Sequence, residues 1–506
     1  MKPAQSIAAV LLCAALAACG NSSTPQGEAA GAGPAFTLPL NHAGRWITDA
    51  QGKVVILHGL NMVYKLPPYA PDAVGFGDDD AAFLAAEGYD TVRLGIIYKG
   101  LEPGIGVYDE TYLSRIAATA DLLGRHGIVS LLDFHQDLYN EKFGGEGLPD
   151  WAVEDDGLPN QPQLNFTLDY FLEPGLNAAF GNFWNNAAAP DGVGLQDRYA
   201  AAWQHVAAHF RDDHNVLGYD LFNEPWPGLQ AATCLTPLGC PLFDASLSSF
   251  VQRNVAAIRQ ADPLTLIWYE PNVIFNNGAA TYVGNAGDAH AGFSFHDYCL
   301  TEPFVSSNTG CDTFDNLVFA NALSHVASTG DALLMTEFGA SNDTSNLEAM
   351  VDRADASMVG WQEWAYCYCG DPTTSGSGNA EAIVIDPSKA PVGDNLVPGT
   401  LQVLSRPYPQ AIAGTPKSYG FDSGSGTFSL DYGTARADGT GVFPDGAETV
   451  VVLPARQYPQ GHAVTVHGAT IASSPGDLML RLQSCPGVSE ITVSVSRTGT
   501  TQQSCS

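Results

Sequence analysis

Two glutamates stand where apolar strand-like runs end. Glu224 lies in Tyr219-Asp-Leu-Phe-Asn-Glu-Pro-Trp226, and Glu337 lies in Leu333-Leu-Met-Thr-Glu-Phe-Gly339. A converging carboxyl pair can cleave a glycosidic bond: one group protonates the departing oxygen while the other attacks or stabilises the anomeric carbon. A separation of roughly 5–5.5 Å sends the reaction through a covalent intermediate with retention. The proton donor needs a raised pKa at neutral pH, which partial burial and a neighbouring carboxylate supply. Other polar residues mark the same kind of position: His58 and Asn61, Arg93, His135, Asn223, His296 and Tyr298, and Trp364. Any one of them could be a core side chain satisfied internally. Together they point to one shared site.

The elements that must hold these residues follow from hydrophobic patterning. Short apolar runs occupy 54–61, 89–97, 127–135, 216–223, 264–270, 292–298, 332–337 and 358–366. Helical patterns lie between several of them, at 79–88, 110–126, 196–213, 244–262, 313–329 and 346–356. Near-continuous apolar strands separated by helices predict a parallel sheet covered on its outer face. Eight such units predict an α/β fold, a (β/α)8 TIM barrel, whose chemistry gathers at the carboxyl ends of the strands. An open doubly wound sheet is the alternative, weakened because no G-x-G-x-x-G follows the first strand. Beyond about residue 408 the pattern changes to short strand-like runs at 428–432, 449–453, 463–467, 478–482 and 491–495, which predicts a C-terminal all-β sandwich.

Asn223-Glu224-Pro225 at the fourth strand and Thr336-Glu337-Phe338-Gly339 at the seventh resemble the retaining glycoside hydrolases of family 5. The resemblance makes Glu224 the acid/base and Glu337 the nucleophile. It gives Arg93, His135, Asn223, His296, Tyr298 and Trp364 to substrate binding. Leu131-Leu-Asp-Phe-His-Gln-Asp137, Tyr139 and Lys142-Phe-Gly-Gly-Glu-Gly-Leu-Pro-Asp-Trp151 narrow the match to the endoglycoceramidases, with Asp137 and, more loosely, Lys65 as sugar contacts. That family cuts between an intact oligosaccharide and ceramide and carries a β-sandwich after its barrel. Glucosylceramidases and β-1,4-glucanases are the neighbouring readings. A glycan-binding protein on an inactive barrel is the reading from another class. The resemblance implies no metal and no cofactor. The long connection 138–194 carries Trp151, Phe166, Tyr170, Phe171, Phe180, Phe183 and Trp184, which could stack on sugars, receive acyl chains or form a mini-core. Trp226, Trp268 and Phe275 carry the same ambiguity.

Charge and cysteines bound the setting. The 506 residues hold 54 acidic and 21 basic side chains, a net charge of −33 that disfavours nucleic acid. Residues 1–18 read as a signal peptide, and Leu16-Ala-Ala-Cys19 resembles a bacterial lipobox, so Cys19 is the expected lipid-bearing terminus. Residues 19–34 then form a flexible tether, 35–408 the barrel and 409–506 the sandwich. The expected location is the bacterial cell envelope, with secretion as the alternative, and the expected state is a monomer meeting a membrane through its anchor, with the barrel mouth as a candidate second contact. Local spacing suggests disulfides Cys234–Cys240, Cys299–Cys311 and Cys485–Cys505. Cys367 and Cys369 are expected to bond elsewhere or stay free, because a C-x-C pair rarely closes on itself in a strand. No calcium-binding loop and no G-x-S-x-G elbow is present.

Overall fold

A computed structural model describes residues 35–505, apart from 235–236, 299–309 and 375–377. The expectations for Cys19 and Cys299 therefore fall outside the described residues. Eight parallel strands close into a barrel: β4 (His58–Met62), β5 (Thr91–Ile97), β6 (Val129–His135), β7 (Val216–Asp220), β8 (Leu266–Tyr269), β9 (Ala291–Asp297), β10 (Ala332–Phe338) and β11 (Gly360–Glu363). Each lies within a residue or a few of its predicted run. The helices 78–87, 110–125, 195–210, 241–258, 311–329 and 344–357 follow strands in sequence.

The barrel interior divides into two layers. At the amino ends, Val129, Leu131, Leu217, Leu266, Trp268 and Leu334 form an apolar plug. Trp268 fits there because its flanking positions on β7 and β9 are Gly218 and Gly292. A Cβ on either would come within 2.5 Å or less of the indole ring. The plug settles the ambiguity over Trp268, which is core. At the carboxyl ends, alternate inward positions become polar, with Asp133 and His135 two residues apart on β6.

The first predicted strand is two strands. Residues 54–55 form β3, which joins β1 (Asn41–Ala43) and β2 (Trp46–Thr48) in a seven-stranded sheet with C-terminal strands. The barrel strand starts only at His58. That residue is not at the mouth: it is stacked between Trp361 at 4.2 Å and Tyr408 at 3.8 Å, at the amino end of β4. The seven-stranded sheet faces a five-stranded one across a shared core of Tyr408, Phe428, Tyr432, Val451, Leu480 and Val493. Its other side packs on the barrel plug through Val55, Ala411 and Val450.

Cys234–Cys240 and Cys485–Cys505 are bridged, and Cys311 is disulfide-bonded. Cys367 and Cys369 bridge each other, against expectation. The reason is local: β11 stops at Glu363, so the pair sits in a turn, and Cys369 adopts φ 48°, a left-handed conformation absent from strands. Among the described residues no helix is long and apolar enough to cross a membrane.

Candidate active site

Glu224 and Glu337 meet at the barrel mouth. A carboxylate oxygen of each and a ring nitrogen of His296 all lie within 4.8 Å of one another. His296, inward-facing near the end of β9, places Nδ1 2.9 Å from Glu224 Oε1 and 3.4 Å from Glu337 Oε2. Asn276 donates to Glu224 Oε1 at 2.7 Å. The backbone of Glu224 is held at φ 45°. A non-glycine residue there stores about 1–3 kcal/mol of strain, and its N–H donates to Glu270 Oε2 at 2.9 Å.

Glu337 receives Arg93 on Oε1 and the Tyr298 hydroxyl on Oε2 at 2.8 Å. Burial pushes its carboxyl pKa up, and the adjacent Glu224 adds to this, while His296 and Arg93 pull against it. Tyr298 is held neutral, its pKa raised well above the phenol value by burial and by Glu337.

Arg93 lies directly beneath, fully buried. Its Nε donates to Asp220, one terminal nitrogen serves Glu337 and Asn61, and the other serves Asn223 and Glu270. Asp133 lies 3.0 Å away. A guanidinium has five N–H donors, and this one has spent them all. Arg93 therefore sits under the site as a fastener of Glu337, where a substrate-facing position was expected. Burial disfavours its charge, but Asp133, Asp220, Glu337 and Glu270 outweigh that. Asn223 is similarly occupied, accepting from Arg93 and donating to the Gln136 carbonyl at 3.0 Å.

A second polar cluster adjoins the first. His135 Nδ1 is 2.7 Å from Asp133, and its ring stacks on Trp364 at 5.2 Å. Its pKa is pushed up to about 10, because Asp133 and Asp137 outweigh burial. Lys65 donates to Asp137 and Thr373, both at 2.7 Å, and pairs with Asp371 at 3.0 Å. Its ammonium also lies 4.4 Å from the Trp364 ring centroid. Lys65 and His135 together overcome burial and hold Asp137 well below the usual carboxylate range. Trp364 follows β11 directly, and its bond to Ala365 is a cis peptide.

Two triads have metal-like composition: Glu224, His296 and Glu337, and His135, Asp137 and Glu146. In the first a protein cation already occupies the shared position. His296 is held protonated, Glu270 and Glu337 overcoming burial, and Lys65 donates to Asp137 in the second group. The first donor set therefore suits an internal hydrogen-bond network better than an ion.

Several participants escaped the sequence reading. Glu270 ends an apolar strand and precedes Pro271, the same signal that singled out Glu224 before Pro225. Asn276, Asp371 and Thr373 lie on connections with no such signal. Glu146 sits inside the Lys142–Trp151 motif. Both its carboxylate oxygens are buried without a hydrogen-bond partner, and burial raises its pKa well above the usual range. The loop aromatics divide. Tyr170, Phe180, Phe183 and Trp184 are buried as a mini-core, whereas Phe171 is 55% exposed. Trp226 is buried and donates to Asn177 at 3.1 Å, and Phe275 is buried against Phe293.

The chain matches the family model for cellulase (glycosyl hydrolase family 5) over residues 48–370. It matches the model for the glycoside hydrolase family 5 C-terminal domain over residues 406–495. It is 33% identical over 479 residues to endoglycoceramidase I of Rhodococcus hoagii (strain 103S), covering 92% of this chain and 89% of that one. The solved structure of endo-glycoceramidase II from Rhodococcus sp. with a five-membered iminocyclitol aligns with a TM-score of 0.74 at 28% identity, covering 90% of this chain and 100% of that one. The ganglioside GM3 complex of the same protein aligns with a TM-score of 0.73 at 26% identity, covering 90% and 99%.

Proposed function

This chain belongs to glycoside hydrolase family 5, and we propose that it is an endoglycoceramidase, releasing an intact oligosaccharide from ceramide with retention. Glu337 Oε attacks the anomeric carbon of the sugar joined to ceramide. The bond to the ceramide oxygen breaks as Glu224 gives that oxygen its proton. Glu224 then takes a proton from water, whose oxygen displaces Glu337 and frees the glycan. Arg93 and Tyr298 fix the Glu337 carboxylate on two sides and leave its attack direction defined. His296 bridges the two glutamates and couples their charges. His135, Trp364, Lys65 and Asp137 form the polar, aromatic wall suited to a sugar.

The observation that carries the reading is that one carboxylate oxygen of Glu224 and one of Glu337 lie within 4.8 Å of each other, the close approach of a retaining pair, where the groups of an inverting pair stand about 6.5–9.5 Å apart. Whole-length similarity to endoglycoceramidase I supports the glycolipid as substrate. The test is a parallel digestion of a ganglioside, glucosylceramide and carboxymethylcellulose, with released glycans weighed by mass spectrometry. Intact oligosaccharide from the ganglioside is expected; action on cellulose alone overturns the assignment.

We also propose that the protein is exported, lipid-anchored at Cys19 and monomeric. Labelling with an alkyne-tagged fatty acid is expected in the intact chain and lost in Cys19→Ser. Sedimentation equilibrium tests the monomer.

A further inference from the structure

An acidic chain carries an uncharged, greasy face beside its site. Among the described residues seventeen large apolar side chains are exposed, and only Leu264 and Val442 lie away from the mouth-side connections of the barrel or a segment packed on them. The densest group is on the helix Phe166–Leu172 and the neighbouring segment Gly228–Thr233, which touch each other. Leu168, Phe171 and Leu172 follow the i, i+3, i+4 spacing of one helix face, and that face points to solvent. Leu164 precedes it, and Leu229 opposite is 77% exposed. The other side of the helix is tied down, since Tyr170 donates to Asp137 at 3.3 Å.

The charge pattern says what covers this face. Of 506 residues 54 are acidic, about one in nine. Between Gly157 and Ala187 only Asp169 and Glu173 are charged, and both are buried; between Pro225 and Phe243 there is no charged residue. A surface that meets only water in such a chain has no reason to lack acids. A surface that enters a lipid headgroup layer must lack them, because burying a carboxylate there is costly. The face also continues from the site. Phe171 packs edge-on against Trp226 at 4.8 Å, and Trp226 is two residues after Glu224.

We propose that the helix Phe166–Leu172 and the segment Gly228–Thr233 dock the barrel mouth on a zwitterionic lipid bilayer, so that ceramide is met where it resides. The docking rests on the endoglycoceramidase reading for its purpose, yet it can fail separately. The bilayer in question is neutral, since a net charge of −33 opposes an anionic one.

The experiment uses the full chain with Cys19→Ser, so that no lipid is attached, and sucrose-loaded phosphatidylcholine vesicles free of glycolipid. The chain is expected to sediment with the vesicles, and Leu172→Asp/Leu229→Asp is expected to weaken partitioning about tenfold or more. Turnover of a soluble aryl β-lactoside stays unchanged in that variant, which shows it folded. A change under twofold overturns the proposal. So does sedimentation only when glycolipid is present, or a dimer in ultracentrifugation that the double substitution dissolves, which would make a second copy the occupant. Docking without any ganglioside hydrolysis would instead remove the functional reading.

Discussion

Glu270 is the residue whose loss should reveal how the site is held. Its carboxylate accepts the strained Glu224 N–H at 2.9 Å, accepts from Arg93 at 2.9 Å, and lies 3.3 Å from His296 Nε2. All three partners are donors, and a carboxylate satisfies them without conflict. Glu270→Gln keeps the shape but turns one end into a donor, so at least one contact becomes donor against donor. A charge-assisted hydrogen bond of this kind contributes about 1.5–3 kcal/mol, and a buried group left unsatisfied costs a similar amount. If the misplacement acts on the proposed proton donor in the transition state, kcat falls by about 10–150-fold. KM should move little, because Glu270 is buried and its contacts are to Glu224, Arg93 and His296. The pH–rate profile adds a second reading. Glu270 helps hold His296 protonated, so its neutralisation should move the alkaline limb to lower pH. Steady-state kinetics on a soluble aryl β-lactoside, with a melting curve to confirm folding, make the measurement. A folded variant with kcat within threefold of the parent and an unmoved profile would refute the positioning role.

Glu337→Gln should keep the fold and lose turnover by at least about a thousandfold, since an amide neither attacks nor leaves as a carboxylate does. A 2-deoxy-2-fluoro lactoside should label the parent at Glu337 and no other residue, read by peptide mass spectrometry. Tyr298→Phe removes one hydrogen bond to Glu337, about 0.5–1.5 kcal/mol, so kcat should drop roughly two- to tenfold. Unchanged kcat would mean the hydroxyl serves only the resting state. Stability should fall as pH rises from about 4.5 to 7. Burial raises Asp90, Asp355 and Glu381 to about 7 in the folded chain. Each then binds a proton that the unfolded chain has released, and that contribution is complete below the unfolded value and lost through the folded one. Melting temperatures from pH 4.5 to 8 check this, and Glu381→Gln should flatten the slope.

The barrel was legible because each of its strands is an apolar run ending in a polar residue, a pattern set by having one layer of plug and one of chemistry. Glu224 and Glu337 stood out for the same reason. What stayed hidden depends on partners distant in sequence. Val54 and His58 lie in one apolar run, yet a two-residue strand of that run pairs with Ile412 and Ala411, some 350 residues on. No local period announces such a join. Arg93 was visible as a strand cation, but only the three-dimensional arrangement shows that all its donors are spent on protein. The Cys367–Cys369 bridge depended on where β11 stops, and an apolar run does not show where its last ladder bond lies.

The polar layer also explains why a charge of −33 says so little about the chemistry. Exposed charges beyond about 8 Å are largely screened at physiological salt, whereas the layer beneath the mouth is buried. Asp133, Asp220, Glu270 and Glu337 share Arg93, and of the nearby imidazoles His296 serves Glu270 and Glu337 while His135 serves Asp133. Glu224 adds one more carboxyl against His296. Five acids thus face three cations, and His135 is shared again with Asp137. An unscreened surplus of that kind keeps protons bound: burial raises Asp220, Glu270 and Glu337 alike. A retaining hydrolase needs one carboxyl protonated and another ionised at the same pH. Arg93 and Tyr298 place a donor on each oxygen of Glu337, and His296 and Arg93 pull its pKa down against the burial that raises it. Arg93 does most of the distributing of donors among these buried carboxyls, and Arg93→Lys, with three donors for five acceptors, would undo that distribution even though the charge is preserved.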